Sequence, residues 1–233
     1  MRPVVIFRFS GGDEPGHFTE WLDAAGLPWR LVALDQGAPV PADAEAFAGI
    51  GMMGGPMSVN DALPWVAPIE TLLRKAVVAG VPVIGHCLGG QLLAKALGAK
   101  VARARNPEIG WIPVEVCAGA EEWFPGRREF TTFEWHYEGF ELPTGATRVL
   151  ANAFHVNQAF VLEGRHVGLQ GHIEMTCDIA RHWVAAAADE LPAQATATTQ
   201  PATEILRDLE LRVATLNAVA GGVYARWSQG LRR

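Results

Sequence analysis

Cysteine is scarce in this chain, and its few copies are far apart. The 233 residues include 3 cysteines, namely Cys87, Cys117 and Cys177. An odd number of widely spaced cysteines argues against a disulfide framework and against a zinc site built from cysteine. Each cysteine is therefore expected to be a small buried hydrophobe, unless the residues around it give it a chemical role.

Long apolar runs and clusters of positive charge are also missing. No stretch of about 18 consecutive apolar residues exists, so we predict no membrane span. The apolar run near the N-terminus is short and interrupted by Arg8, so we expect no signal peptide and a cytoplasmic location. The formal net charge is -6 and no Lys/Arg run exceeds two residues, which makes nucleic acid and anionic membranes poor candidate partners.

The composition is typical of a soluble globular protein, with 49% hydrophobic and 19% charged residues. In the first half, apolar runs of strand length occupy residues 3–9, 30–34, 47–53 and 81–84. Segments with the hydrophobic spacing of a helix alternate with them, at residues 16–25, 65–79 and 89–97. This alternation predicts an α/β fold whose mostly parallel central sheet is covered on both faces.

The middle of the chain has a different pattern. Residues 100–170 contain many short alternating runs, which we interpret as mostly antiparallel strands added to the same sheet. Residues 177–188 are predicted to be helical. Together with the first half, these segments predict one domain over residues 1–188.

The C-terminal part divides into two segments. Residues 189–203 are rich in Ala, Thr, Pro and Gln without periodicity, which predicts a linker or mobile loop. Residues 204–228 have the spacing of an amphipathic helix, which Gly221 and Gly222 are expected to interrupt. We expect this helix, within residues 204–233, to pack on the preceding domain.

The strongest chemical signal surrounds Cys87. Residues 85–89 (GHCLG) stand between a predicted strand and a predicted helix, and they have the form of a nucleophile elbow. Glycines two positions either side of the cysteine remove Cβ atoms that would clash where strand and helix approach. The start of the following helix favours thiolate over thiol, and it places the Leu88 N–H to bind an oxyanion.

A cysteine nucleophile needs a base, and the base needs an orienting partner. Among the 7 histidines, His172 is the best candidate because Glu174 follows it at i+2, on the same side of an extended segment. A surface His-x-Glu pair is the ordinary alternative for this spacing, and the elbow favours the catalytic interpretation.

The remaining histidines carry weaker signals. His86 precedes the nucleophile and faces the other side of the sheet, so we expect a structural role. His136 either lines the substrate pocket or has a plain surface or core role. The others show no spacing suited to a metal site, namely His17, His155, His166 and His182.

A second glycine signal, Gly54-Gly55-Pro56, follows the third predicted strand. It lacks the Lys-Ser/Thr of a phosphate loop. It is either a plain tight turn or a loop whose backbone N–H meets the Leu88 N–H to complete an oxyanion hole.

Taken together, these segments resemble the class I, or triad, glutamine amidotransferases, and in particular the stand-alone members similar to the glutaminase domain of GMP synthase. The resemblance covers roughly residues 1–180. Five segments carry it: the Gly-Gly-Pro loop (54–56), the G-x-C-x-G-x-Q elbow (85–91), a WH…LP segment (135–143), an Asn-Gln-Ala-Phe segment (157–160) and the His-x-Glu pair (172–174).

This resemblance implies a flavodoxin-like three-layer sandwich and a reaction without metal or cofactor. Cys87 would attack the side-chain amide of glutamine, His172 would take and return the proton, and Glu174 would orient His172. A γ-glutamyl thioester would form, ammonia would leave, and water would complete the hydrolysis.

The resemblance also implies roles for residues around the triad. The backbone N–H groups of Gly55 and Leu88 would bind the oxyanion. Gly54 and Gln91 would contact the bound glutamine, and His136 is a further candidate for the substrate pocket.

Two departures from the family pattern bear on the substrate. The usual Phe-His-Pro-Glu ending is Gly171-His172-Ile173-Glu174 here, and a glycine before the histidine occurs in members similar to γ-glutamyl peptidases. Ile173 in place of proline loosens a rigid segment. The chain also has no evident ATP-binding loop or second large domain, so a separate synthetase subunit is the expected partner if ammonia is transferred.

Two alternatives remain open. One is a γ-glutamyl peptide hydrolase with the same triad, which a pocket open beyond the γ-carbonyl would favour. The other is a non-catalytic binding module on the same fold, with a triad that does not align.

Overall fold

The computed structural model describes residues 2–232, and one mixed β-sheet runs through this part of the chain. Its strand order is β2-β1-β3-β4-β9-β8-β7-β5-β6. The nine strands are β1 Val4–Arg8, β2 Trp29–Ala33, β3 Gly49–Met52, β4 Val83–His86, β5 Val101–Val116, β6 Glu129–Phe140, β7 Thr147–Ala151, β8 Ala159–Leu162 and β9 His166–Leu169.

The sheet has a parallel half and an antiparallel half. The neighbours from β2 to β9 pair in parallel, which accounts for four pairings. The neighbours from β9 to β6 pair antiparallel, which accounts for the other four. The predicted α/β sandwich with antiparallel strands from the middle of the chain is confirmed.

Helices cover both faces of the sheet. They are α1 Gly16–Ala24, α2 Val66–Ala79, α3 Leu88–Ala96, α4 Cys177–Ala186, α5 Ala202–Ile205 and α6 Leu209–Ser228. Adjacent residues of β1 point to opposite faces of the sheet and pack in different cores. Ile6 packs with side chains of α1 and α6, and Phe7 packs with side chains of α2 and α3. Within residues 2–232, no helix is both long and apolar enough to cross a membrane.

The C-terminal segments differ in detail from the sequence expectation. Gly221 and Gly222 do not interrupt α6, which continues through both, because its buried face packs along the sheet. In the segment predicted as a linker, Thr198 accepts a hydrogen bond from the Ile109 N–H at 2.9 Å. The Gln200 side chain bonds to both the N–H and the carbonyl of Trp111. This part of residues 189–203 is therefore tied to β5.

Candidate active site

Cys87 lies in a strained turn between β4 and α3. Its φ of 47° and ψ of -108° are unusual for a residue with a side chain. A Cβ on Gly85 would lie 2.3 Å from the carbonyl carbon of Gly89, and a Cβ on Gly89 would lie 2.6 Å from the Met52 Cβ. The prediction that these glycines relieve a clash between strand and helix is confirmed.

The pairing of β4 with β9 places the predicted base beside this turn. The two strands are parallel, with His86 opposite Leu169, so Cys87 and residues 170–174 follow the same edge of the sheet. The Cys87 N–H donates to the Leu169 carbonyl at 2.9 Å. Cys87 and His172 line the same cavity.

His172 and Glu174 form a buried pair. His172 Nδ1 lies 2.7 Å from Glu174 Oε1, and both side chains are almost completely buried. Because the carboxylate engages Nδ1, the other ring nitrogen remains available to a group in the cavity. Ile173 between them is buried in the core, which holds the segment without the usual proline.

The charges of this pair support each other. Burial opposes protonation of His172, but the Glu174 carboxylate and Cys87 outweigh it and raise the pKa of His172 well above its usual value. Burial likewise opposes ionisation of Glu174, yet the charge and the hydrogen bond of His172 hold the pKa of that carboxyl below its usual range. The pair therefore favours an imidazolium beside a carboxylate.

The glycine loop at residues 54–56 packs against both sides of the site. A Cβ on Gly54 would lie 2.6 Å from His172 Cε1, and one on Gly55 would lie 2.8 Å from Leu88 Cδ2. Among residues 2–232, no acceptor bonds to the backbone N–H of Gly55 or of Leu88. Both N–H groups are thus available to a ligand, and their predicted role as an oxyanion hole stays a prediction.

Gln91 and His136, predicted to bind substrate, are largely engaged with the protein. Gln91 Nε2 donates to the Glu138 carbonyl at 3.1 Å and to Gln170 Oε1 at 3.3 Å. His136 Nδ1 lies 3.0 Å from the Glu138 carbonyl, and its Nε2 lies 3.0 Å from Glu108 Oε2. Both side chains also line the cavity, so their contact with substrate remains a prediction.

His136 is a buried cation. Burial opposes its charge, but the hydrogen bond to Glu108 and the nearby Glu134 carboxyl group outweigh this and raise the pKa of His136 to about 10. Glu108 also accepts hydrogen bonds from two side-chain amides, at 2.7 and 2.6 Å. Potential ligand atoms of Glu108, His136 and His155 lie within 4.8 Å of one another, but these hydrogen bonds already engage the first two, so we assign no metal to the cluster.

His86 has the structural role expected of it. Its Nδ1 lies 3.1 Å from the Met52 carbonyl, and its Nε2 lies 3.2 Å from the Tyr224 hydroxyl. Burial lowers the pKa of His86, so the ring is neutral: Nδ1–H donates to the carbonyl and Nε2 accepts from the hydroxyl. His86 Nε2 also lies 3.9 Å from Glu174 Oε2.

Sequence reasoning missed two polar residues of the site. Asp13 lines the cavity, and burial raises its pKa. Gln170 is completely buried, with Nε2 3.8 Å from Cys87 Sγ. Asp13 follows β1 and Gln170 follows β9, and ligand sites of α/β sheets gather at the carboxyl ends of parallel strands. The positions of Asp13 and Gln170 after predicted strands were therefore the sequence signal that could have identified both residues.

The cavity above Cys87 is large and partly open. Its volume is about 690 Å³, and it extends from Cys87 and His172 to Arg103, Tyr137 and Glu190. Tyr137 is 40% exposed, which places it at the mouth. The cavity therefore continues well beyond the sulfur atom.

The cysteine elbow at the edge of the α/β sheet lies beside a buried histidine–glutamate pair. These features are those of the class of α/β proteins that have a candidate cysteine nucleophile. The chain matches the model of the class I glutamine amidotransferases over residues 21–186. It is similar to a glutamine amidotransferase from Methylobacillus flagellatus, whose crystal structure matches with a TM-score of 0.97 and 45% identity, covering 100% of this chain and 96% of that chain. The chain belongs to the class I glutamine amidotransferase family, and the predicted resemblance is confirmed.

Curated relatives carry names for more than one activity. The glutamine amidotransferase-like protein YfeJ of Salmonella typhimurium is 30% identical over 71% of this chain and 73% of its own length. A glutamine-hydrolysing GMP synthase of Aeropyrum pernix is 36% identical over 55% of this chain, which spans 24% of that synthase. Gamma-glutamyl peptidase 4 of Arabidopsis thaliana is 27% identical over 70% of this chain and 68% of its own length.

Proposed function

We propose that this protein hydrolyses the side-chain amide of glutamine, with Cys87 as nucleophile, His172 as acid and base, and Glu174 as the group that orients His172. The observation that carries the proposal is the 2.7 Å contact between His172 and Glu174, beside the cavity that Cys87 lines. A base held by a carboxylate near a strained nucleophile is the arrangement that acyl transfer through a covalent intermediate requires.

The first half of the reaction forms a thioester. The Cys87 thiolate attacks the γ-carbonyl carbon, a C–S bond forms, and the carbonyl π electrons move onto oxygen. The N–H groups of Gly55 and Leu88 donate to this oxyanion. As it collapses, the C–N bond breaks and His172 gives a proton to the leaving nitrogen, which departs as ammonia.

The second half releases glutamate. A water molecule attacks the thioester carbon while the now neutral His172 accepts its proton. The C–S bond then breaks, which returns the thiolate and leaves an imidazolium beside it. The raised pKa of His172 supports this resting state, because it keeps the imidazolium protonated near neutral pH.

A second candidate substrate is a γ-glutamyl peptide, with the same triad and an amine in place of ammonia as leaving group. The size of the cavity favours this substrate. Its volume of about 690 Å³ falls within the range of about 300–1,000 Å³ for pockets that hold drug-sized ligands. An amine leaving group would occupy part of this space, whereas ammonia would occupy almost none. The similarity to the Arabidopsis gamma-glutamyl peptidase supports the same candidate.

The test compares hydrolysis of glutamine and of a panel of γ-glutamyl dipeptides by the parent protein, Cys87→Ser and Cys117→Ser. Cys87→Ser should lower kcat at least about a thousandfold and abolish labelling by a glutamine-mimicking electrophile. Cys117→Ser is the matched control and should behave like the parent, since Cys117 lies outside the cavity lining. Parent-like hydrolysis by Cys87→Ser would refute the proposal.

The same panel ranks the two substrates. Faster hydrolysis of the dipeptides favours the peptidase activity, and faster hydrolysis of glutamine favours the glutaminase. For a glutaminase, the similarity to a GMP synthase supports a separate synthetase subunit as the partner that receives ammonia.

A further inference from the structure

Gln170 is a buried amide at the nucleophile, and neither the sequence motifs nor the proposed triad assigns it a role. It directly follows β9 and is 0% exposed. Its Nε2 lies 3.8 Å from Cys87 Sγ. The backbone holds it there, because the Gln170 N–H donates to the Gln158 carbonyl at 2.8 Å and the neighbouring Leu169 carbonyl accepts from Cys87.

The orientation of the Gln170 amide follows from its hydrogen-bond network. Gln91 Nε2 donates one hydrogen to the Glu138 carbonyl, which can only accept. Its second hydrogen points to Gln170 Oε1 at 3.3 Å. Since the oxygen of Gln170 is engaged by this donor, the amide nitrogen is the atom turned towards Cys87 Sγ.

The sulfur therefore has a different partner for each protonation state. The thiol S–H is able to donate to the Trp135 carbonyl, which lies 3.9 Å from Sγ. A thiolate has no hydrogen to donate and needs donors instead. Cys87 is only 5% exposed, so water cannot supply all of these donors, and the Gln170 N–H takes that place.

We propose that Gln170 is a catalytic residue whose side-chain N–H donates to the Cys87 thiolate and stabilises it, and that Gln91 is a positioning residue that fixes the Gln170 amide for this contact. This rests on the function proposed above, in which Cys87 is the nucleophile. It also changes the role expected of Gln91, which acts on the sulfur through Gln170 in addition to any contact with substrate.

The test measures the pH profile of Cys87 alkylation by iodoacetamide, with the Cys87 peptide quantified by mass spectrometry. Gln170→Met keeps the length of the side chain and removes the donor, so the alkylation midpoint should move up by about one pH unit, as expected for the loss of a hydrogen bond to a charged group. Gln170→Glu should move it further, because a carboxylate repels the thiolate.

Gln158→Met is the matched control. Gln158 is also a buried amide and directly precedes β8, but its Nε2 donates to Glu108 and not to sulfur. Its loss should lower stability without moving the alkylation midpoint. Gln91→Met provides a variant that leaves Gln170 in place but frees its amide, and it should move the midpoint in the same direction by a smaller amount.

Two outcomes would overturn the assignment. One is a parent-like midpoint in folded Gln170→Met, and the other is an equal shift in Gln158→Met, which would indicate a general effect of disturbing the sheet. If Gln170→Met does not fold, a parent-like midpoint in Gln91→Met overturns it instead. Alkylation needs no turnover, so these outcomes are separate from the loss or retention of hydrolysis in Cys87→Ser, which tests the proposed function.

Discussion

At the scale of single residues, glycines decide how closely the parts of this site approach each other. The departure at Gly171 is an example, because a Cβ there would lie 2.3 Å from Glu134 Oε1 and 2.7 Å from Thr132 Oγ1. Two polar side chains of β6 therefore occupy the space beside Gly171 that a larger side chain would need. Gly171 is therefore required by the packing of its neighbours.

Gly90 allows a residue-scale prediction. A Cβ on Gly90 would lie 2.4 Å from the Leu169 carbonyl oxygen, so Gly90→Ala must push α3 away from β9. We expect a loss of about 1–3 kcal/mol in the free energy of unfolding, together with lower activity, because the Cys87 turn moves with α3.

The control for this substitution lies in α6. The nearest atom to a Cβ on Gly222 would be 3.9 Å away, so Gly222→Ala should be neutral or stabilise the protein by up to about 1 kcal/mol through helix propensity. Urea unfolding of both variants checks the pair. Equal effects at the two positions would contradict the proposed clash.

At the scale of elements, the pairing of β5 with β6 builds a buried charge cluster next to the cavity. Glu108 of β5 lies opposite His136 of β6 in the register, and Glu134 reaches the same imidazole nitrogen at 3.3 Å. The single Nε2–H bonds to Glu108, and the oxygens of Glu134 have no hydrogen-bond partner among residues 2–232. The two carboxyl groups therefore differ in their hydrogen bonding, and their pKa values shift in opposite directions.

The pKa shifts follow this difference. Burial opposes ionisation of Glu108, but His136 outweighs it and lowers the pKa of Glu108 below its usual 4.5. For Glu134 burial dominates and raises the pKa. The Glu108–His136 pair is thus at full strength between about pH 4.5 and 6.5. Its contribution to stability is lost as acid protonates Glu108, and also as the pH rises through the His136 pKa of about 10.

Substitution of the two carboxyl groups should separate them. Glu108→Gln leaves His136 without its counter-ion and should lower the free energy of unfolding by about 3–5 kcal/mol near neutral pH, with a smaller effect in acid. The raised pKa of Glu134 means that ionisation of this group opposes folding as the pH rises. Glu134→Gln should therefore leave the free energy of unfolding unchanged or raise it near neutral pH, and should leave it unchanged in acid. Urea unfolding at about pH 4 and about pH 7 measures both effects, and a greater loss of stability from Glu134→Gln than from Glu108→Gln would contradict this assignment.

At the scale of the whole molecule, the C-terminal helix contacts the proposed triad through His86. Tyr224 of α6 is completely buried and donates to His86, which stands beside Glu174. His86 in turn donates to the Met52 carbonyl of β3. One chain of contacts thus joins the last helix, two central strands and the carboxylate of the proposed triad.

Removal of the Tyr224 hydroxyl tests this connection. Tyr224→Phe leaves His86 Nε2 buried without a donor, which should lower the free energy of unfolding by about 1–3 kcal/mol. Tyr137→Phe is the control for stability, because Tyr137 is 40% exposed and should tolerate the loss of its hydroxyl. Urea unfolding of the two variants provides the comparison, and unchanged stability in Tyr224→Phe would remove α6 from the support of the site.

Local patterns in the amino-acid sequence were sufficient to predict the elbow at Cys87, the pair at His172 and Glu174, and the alternation of strands and helices in the first half. Each depends on residues only a few positions apart, where spacing and glycine content directly constrain the backbone. The pairing of β4 with β9 was not predictable in this way, since it joins segments about 80 residues apart through backbone hydrogen bonds.

Tertiary structure alone placed Gln170 against the sulfur, Glu108 against His136 and Tyr224 behind His86. None of these contacts has a local signature, because a buried polar side chain finds its partner only after distant elements have packed. The sequence therefore determined which residues are proposed to carry the chemistry, and the packed sheet decided which buried groups surround them.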